Sequence, residues 1–190
     1  MVAIRHRALQ LLAIGLMVAG GAFAQDLTCE LIGTQQNVRA EGKAELLGDI
    51  NIRCTAADPT APAPWVEKQV NIIVNLPVNV TNNIDFGQDE DEVDARIIVN
   101  DVDPGDGNGY GVRTAAREIA FDNVTVTYPV PVTGTTTIRI SSIRGNVTQL
   151  GLPSEGNVIQ IDAIVSTEPP STLSVGVPSV TVGFSRLSLI

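Results

Sequence analysis

The sequence predicts an all-β fold. It reads as an Ig-like or Greek-key β-sandwich of about 8–10 strands, one domain over 25–190 behind a cleaved signal peptide at 1–24. Three observations predict this. Apolar and polar residues alternate with period two along most of the chain, and Val and Ile dominate the apolar set. Turn residues interrupt the alternating runs at intervals often near ten residues. Only Thr114 to Ile119 has helical composition, and it is too short to stand alone as a helix. It is either a single turn or the lead-in to the next strand.

The first element is an export signal. Arg5 and Arg7 give a positive start, Ala8 to Gly20 is an apolar run, and Ala22-Phe23-Ala24 supplies small residues for cleavage before Gln25. The run is too short to span a bilayer. Leu27, Cys29 and Leu31 then share one face of a strand. Ile50, Ile52 and Cys54 share a face of another, opposite Asn51 and Arg53. A bridge between the two cysteines would therefore lie inside the core. Val70, Ile72, Val74 and Leu76 form the next run. Val124, Val126 and Tyr128 follow, then Ile138 and Ile140, then Ile159, Ile161, Ala163 and Val165, and last Val180, Val182 and Phe184. Asp58-Pro59, Pro104-Gly105, Thr133-Gly134, Arg144-Gly145-Asn146, Glu155-Gly156-Asn157 and Pro169-Pro170 mark turns between them.

Cys29 and Cys54 are the only cysteines. In an exported protein such a pair forms a disulfide, and closing a loop of about 25 residues stabilises by roughly 3–4 kcal/mol. A redox or metal-binding role would want a CxxC spacing or a histidine. Asp26 stands where a lipoprotein signal wants an aliphatic residue, so Cys29 is not expected to carry a lipid.

Charge narrows the function. The chain has 21 acidic and 12 basic residues. Without Arg5 and Arg7, ten basic residues face the 21 acidic ones, a net charge of −11. Such a surface disfavours nucleic acid and anionic membranes. No apolar stretch of about 20 residues follows the signal, and the few aromatics do not supply the girdles of an outer-membrane barrel.

Catalytic chemistry has few means. The one histidine, His6, leaves with the signal, which removes the base of a Ser-His-Asp or Cys-His arrangement and the usual zinc ligand. A carboxylate pair of the glycosidase kind is the remaining enzymatic route, but a single tryptophan is poor provision for sugars. No catalytic residue is assigned. Asp101, Asp103, Asp106 and Asn108 lie on a glycine-rich loop and offer hard oxygens to calcium, after a dense acidic segment from Asp85 to Asp94. The EF-hand pattern fails there, because the fifth position is Gly105 and the twelfth is Val112. Trp65, beside Pro62 and Pro64, is either a partner-binding anchor or a cap on one end of the core. The sequons at Asn79, Asn123 and Asn146 read as strand chemistry, since alternating Asn, Val and Thr generate them.

Val38-Arg39-Ala40-Glu41-Gly42, Glu45 to Ile50, Thr137 to Asn146 and Thr181-Val182-Gly183-Phe184 resemble a group of uncharacterised, secreted, β-rich bacterial proteins of acidobacterial type. The resemblance implies an extracellular bacterial protein and carries over no catalytic residue or ligand. Gly42 and Gly48 flank a strand and make turns or a bulge. Arg39 with Glu41, or Glu45 with Asp49, are candidate cross-strand pairs.

The expected function is a non-enzymatic extracellular structural module: a cell-surface, filament or adhesion subunit. It would associate with itself or with other surface proteins through sheet edges or a terminal strand. Leu187, Leu189 and Ile190 are the apolar residues of that terminal strand. The alternative is a calcium-dependent domain that binds a glycan or protein. The expected location is extracellular or the cell surface, with the periplasm as alternative. No cofactor is expected apart from calcium in that alternative.

Overall fold

The computed structural model describes residues 26–84, 91–102 and 109–188. The signal peptide lies outside them. So do Asp103, Asp106, Asn108, Leu189 and Ile190.

Alternation in the sequence becomes alternation in burial. Along β4 (Ile50–Ala56), Ile50, Ile52, Cys54 and Ala56 point inward. Along β5 (Glu67–Asn75), Val70, Ile72 and Val74 do the same, and Leu76 follows buried. The remaining strands are β1 (Leu27–Gly33), β2 (Gln36–Arg39), β3 (Glu45–Leu46), β6 (Glu92–Val99), β7 (Tyr110–Ala115), β8 (Glu118–Thr127), β9 (Thr135–Ser141), β10 (Arg144–Gly145), β11 (Ile159–Glu168), β12 (Leu173–Val175) and β13 (Ser179–Arg186). Among the described residues thirteen strands thus stand where about 8–10 were expected. The additional ones are mainly two- to four-residue pieces without a periodic signal of their own.

Eleven of them form one mixed sheet in the order β12-β1-β4-β9-β6-β7-β8-β5-β11-β13-β2, and β10 pairs with β3. The sheet curls over its own core. Its two ends meet where side chains are absent: the Gly48 N–H donates to the Val182 carbonyl at 2.8 Å. A Cβ on Gly48 would strike the Thr34 carbonyl, and one on Gly33 would strike that of Thr181. Gly48 is therefore a backbone-contact residue, and β3 lies between it and Gly42 as expected. Fully buried Phe121, Leu27, Ile72, Ile97, Ile140 and Ile161 belong to the single core, each contributing roughly 1.5–3 kcal/mol by leaving water.

Three sequence readings change. Of the two readings of Thr114 to Ile119, the helical turn fails and the lead-in to the next strand holds, since β8 (Glu118–Thr127) starts there. β7 and β8 form a hairpin there, turning at Ala116-Arg117, with Ala115 opposite Glu118. The carbonyls a helical turn would use are taken by a neighbouring segment: Ala116 O accepts from Val80 N at 2.8 Å, and Arg117 O from Leu76 N at 2.9 Å. Phe184 does not continue the inward face of Val180 and Val182. A bulge opposite Ile161 and Asp162 shifts the parity of β13, so Gly183 and Ser185 turn inward instead. The ion pair near β3 joins Arg39 to Glu45, with Nη2 and Oε1 2.8 Å apart, in place of Arg39 with Glu41; Glu45 and Asp49 are both acidic and form no ion pair with each other.

Candidate functional site: a cleft beside β8

Among the described residues, β7 joins the two halves of the sheet over part of its height. It pairs with β6 from Glu92 to Arg96 and with β8 from Glu118 to Ala120. Beyond these points β6 and β8 diverge and leave a cleft of about 450 Å³. Its apolar lining comes from Val99 and Val102, over the buried Ile97 and Val124. Its polar surface comes from Gln69, Asn100, Asn123, Thr125 and Thr127. None of these nine residues is ionisable.

Local turn chemistry builds one wall. After β6 the chain reverses at Asn100-Asp101, with φ of 51° and 58°. Val99 and Val102 exchange backbone hydrogen bonds of 3.3 and 2.9 Å across this reversal. Two left-handed residues in a two-residue loop make a type I′ turn, which suits Asn and Asp. Asn100 is also tied to β9: its N–H donates to Thr137 O at 2.8 Å, and its Oδ1 accepts from Thr137 N at 2.9 Å. Val102, two-thirds exposed, is thereby presented at the cleft mouth.

The opposite wall is β8. A bulge in its pairing with β5 leaves Asn123 at φ 53°, with its N–H held by Asn71 Oδ1 at 2.9 Å. From Val124 to Thr127 the ladder with β5 is regular. Tyr128 N–H donates toward β5, to Val66 O at 2.8 Å. Backbone groups alternate sides along a strand, so those of Val124 and Val126 also face β5. Those of Thr125 and Thr127 face the cleft. Thr127 O accepts from Thr136 Oγ1 at 2.6 Å on that side. Among the described residues no strand pairs with this edge of β8 at Thr125.

The residues singled out in the sequence are not brought together. Cys29 and Cys54 are bonded and buried, directly opposite on β1 and β4, with Cα atoms 4.1 Å apart. The bridge therefore joins neighbouring strands of one sheet. Trp65 is half-buried against the core and meets Tyr128 edge-on, with ring centroids 4.9 Å apart. The Lys68 ammonium lies 5.3 Å from its centroid and is itself paired with Asp26 at 2.7 Å. Leu187 follows β13, which ends at Arg186 and is paired on both sides within the chain, by β11 and β2. Asp101 is the one residue of the candidate calcium loop that is described, and it occupies the turn. Among the described residues no three His, Cys, Asp or Glu side chains cluster as metal ligands.

Two carboxylates titrate below their ordinary range, and both are exposed. Glu41 is lowered by its own backbone N–H and then by the Ser188 hydroxyl; Asp58 is lowered by the Thr60 hydroxyl and amide. Neither is near the cleft. Sequence reasoning missed the cleft residues. The available signals were the Asn100-Asp101 dipeptide, which favours a primed turn, and the uncharged run from Asn123 to Ile138.

No family model matches the chain, and no curated protein matches it. Among solved structures, the pilus backbone protein RrgB of Streptococcus pneumoniae is similar at 10% identity and a TM-score of 0.39, over 74% of this chain and 31% of that one. The full-length RrgB structure is similar over 83% of this chain and 24% of that one, at the same identity and TM-score. BslA, a bacterial hydrophobin, is similar at 7% identity and a TM-score of 0.32, over 85% of this chain and 94% of its own. The chain thus spans less than a third of the pilus protein it resembles.

Proposed function

We propose that this protein is an exported, non-enzymatic structural module that makes contacts at a bacterial cell surface or in an extracellular assembly. One observation carries the reading. Among the described residues, the lining of the cleft beside β8 has no ionisable side chain. A catalytic cleft needs a group to move protons, and the described lining offers no acid or base to do so or to activate its threonine hydroxyls. Strand edges are what sheet-to-sheet contact needs, and β12 and β2 end the main sheet.

Two further features support the reading. The buried Cys29–Cys54 bridge suits an oxidising compartment outside the cytoplasm. The signal-like segment at 1–24 supplies the route there. β13 is already paired on both sides as far as Arg186, so a trans contact uses an edge other than this strand.

Fractionation of native cells, with electron microscopy of the surface fraction, tests the reading. The expected result is mature protein starting at Gln25, outside the cytoplasm, and in assemblies larger than one chain. Protein retained in the cytoplasm, or a monomer with no surface association, overturns it.

A further inference from the structure

We propose that the outer face along the seam between β1 and β13, centred on Ile32, Ile164 and Val177, is a self-association surface that meets the same face of a second copy of this chain. This inference deepens the surface-contact reading and rests on it. It names the face that is used and its occupant.

The fold gathers these three residues. β1 pairs with β12 only from Leu27 to Cys29, and β13 pairs with β2 only from Gly183 to Arg186. At Gly33 the two strands touch instead: a Cβ there would strike the Thr181 carbonyl and the Val180 side chain. The segment from Gly176 to Pro178 enters this seam beside β1, since Gly176 N–H donates to Cys29 O at 3.4 Å. On its other side it is tied to β11, where Val165 N–H donates to Pro178 O at 2.8 Å, and the next residue, Ser179, stands opposite Ile164. Ile32 and Ile164 have the outward parity of their strands and are 49% and 52% exposed. Val177, on the segment between them, is 71% exposed.

Charge chooses the occupant. The chain has a net charge of −9, so two copies approach best where like charge is absent. Ile32, Ile164, Val177, Pro178, Ser179 and Thr181 are uncharged. Beside them the charges mostly cancel: Arg53 pairs with Glu30 at 3.7 Å and Arg139 with Asp49 at 3.9 Å. Asp162 is the exception, and it accepts hydrogen bonds from Gln160 and Thr181, both at 2.8 Å. A strongly charged partner finds no counter-charge gathered here. A second copy, turned face to face, buries apolar side chains on both sides and sets no block of like charge against itself. Three exposed side chains per copy are few beside the ~800 Å² per partner of a stable complex, so the contact is weak, with a Kd of about 0.1–1 mM. Other exposed apolar residues compete poorly. Ile84 and Val102 adjoin residues outside those described. Val66 and Val130 stand on the connections that carry Trp65 and Tyr128, and not on strands.

The test uses the mature chain in a dilution series, followed by amide NMR and sedimentation velocity. Val177→Asp and Ile164→Asp each place a charge on the face, at positions already more than half exposed. Val130→Asp is the control, because it adds the same charge away from the face at a position 83% exposed. An amide spectrum of each variant reports that the fold is kept. The expected result is a dimer whose dilution from about 1 mM shifts the amides of residues 30–33, 163–165 and 176–181. Either face variant should weaken it about tenfold or more, and Val130→Asp less than about twofold. No concentration-dependent shift up to about 1 mM, shifts centred elsewhere, or equal weakening by Val130→Asp each overturn the proposal. Shifts at the face with micelles of an uncharged detergent, in a chain that stays monomeric without them, also overturn it, since the occupant is then an apolar surface and not a second copy. If the face is silent while native protein still forms surface assemblies, only the face falls. If the face associates while native protein stays in the cytoplasm, only the surface-module reading falls.

Discussion

Asn82 shows how much one buried polar residue holds here. It is 4% exposed and makes three hydrogen bonds. Its Nδ2 donates to Asp94 Oδ1 at 2.6 Å and to Ser142 O at 2.7 Å, and its Oδ1 accepts from Arg144 N at 2.8 Å. It therefore ties β6 to the chain between β9 and β10. Asn82→Ala strands a backbone donor and a backbone acceptor, so the expected loss is about 3 kcal/mol. Urea unfolding checks this; a loss below about 0.5 kcal/mol, the range of an ordinary surface change, would contradict it. Asp58 makes a prediction about pH. Thr60 donates to its Oδ1 from the hydroxyl at 2.6 Å and from the amide at 2.9 Å, which holds the carboxyl below its ordinary range. The folded pKa is lower than the unfolded one. The stabilisation is therefore complete above the unfolded value of about 3.9 and is lost as the pH falls through the folded value. Carbon NMR titration of Asp58 should give a midpoint below the ordinary value, and Thr60→Ala should raise it. A wild-type midpoint at or above the ordinary value contradicts the assignment.

At the scale of elements, the buried bridge and the primed turn act on different parts of the sheet. Cys29 and Cys54 are opposite each other in a ladder that already pairs all of β1 with β4. Removing the bridge should leave the native ladder in place and act mainly on the unfolded chain. The Cys29→Ala/Cys54→Ala double variant should lose about 3 kcal/mol, read from its guanidinium midpoint, with the amide spectrum otherwise conserved. At the turn, Asn100→Ala removes the acceptor for Thr137 N and places alanine at φ 51°. A loss of about 2 kcal/mol is expected, whereas Asp101→Gly should be neutral or slightly stabilising. Equal effects of the two changes would argue against the turn assignment. These elements also show what the sequence could tell. β4, β5, β9 and β11 were legible because Val and Ile alternate there and the burial follows. β6 was passed over although Val93, Ala95 and Ile97 alternate with Asp94 and Arg96 and are buried, because its start merges with the acidic segment Asp85 to Asp94. Glu92 is nonetheless 6% exposed. The Phe184 parity error came from a bulge, which leaves no periodic trace. The cleft was illegible for a different reason. It is lined by β6 and β8, which are distant in sequence, and alternation within one strand carries no information about how two such strands are placed.

At the scale of the whole molecule, a curled sheet with short ends is protected against indiscriminate edge pairing, and net charge adds a second protection. The chain has a net charge of −9 at pH 7 and a sequence pI near 4.4. Copies repel at neutral pH, and the repulsion weakens as carboxylates protonate or as salt screens them. Association should therefore rise as the pH falls from 7 toward 4.5, and at fixed pH as salt is added. Sedimentation velocity across a pH and salt series measures both trends. Charge alone has no preferred edge, so it does not distinguish ordered contact from precipitation near the isoelectric point. The size distribution makes that distinction: contact through one surface gives a discrete associated species that persists across the series, whereas a continuous spread of sizes that appears only near the isoelectric point contradicts ordered contact.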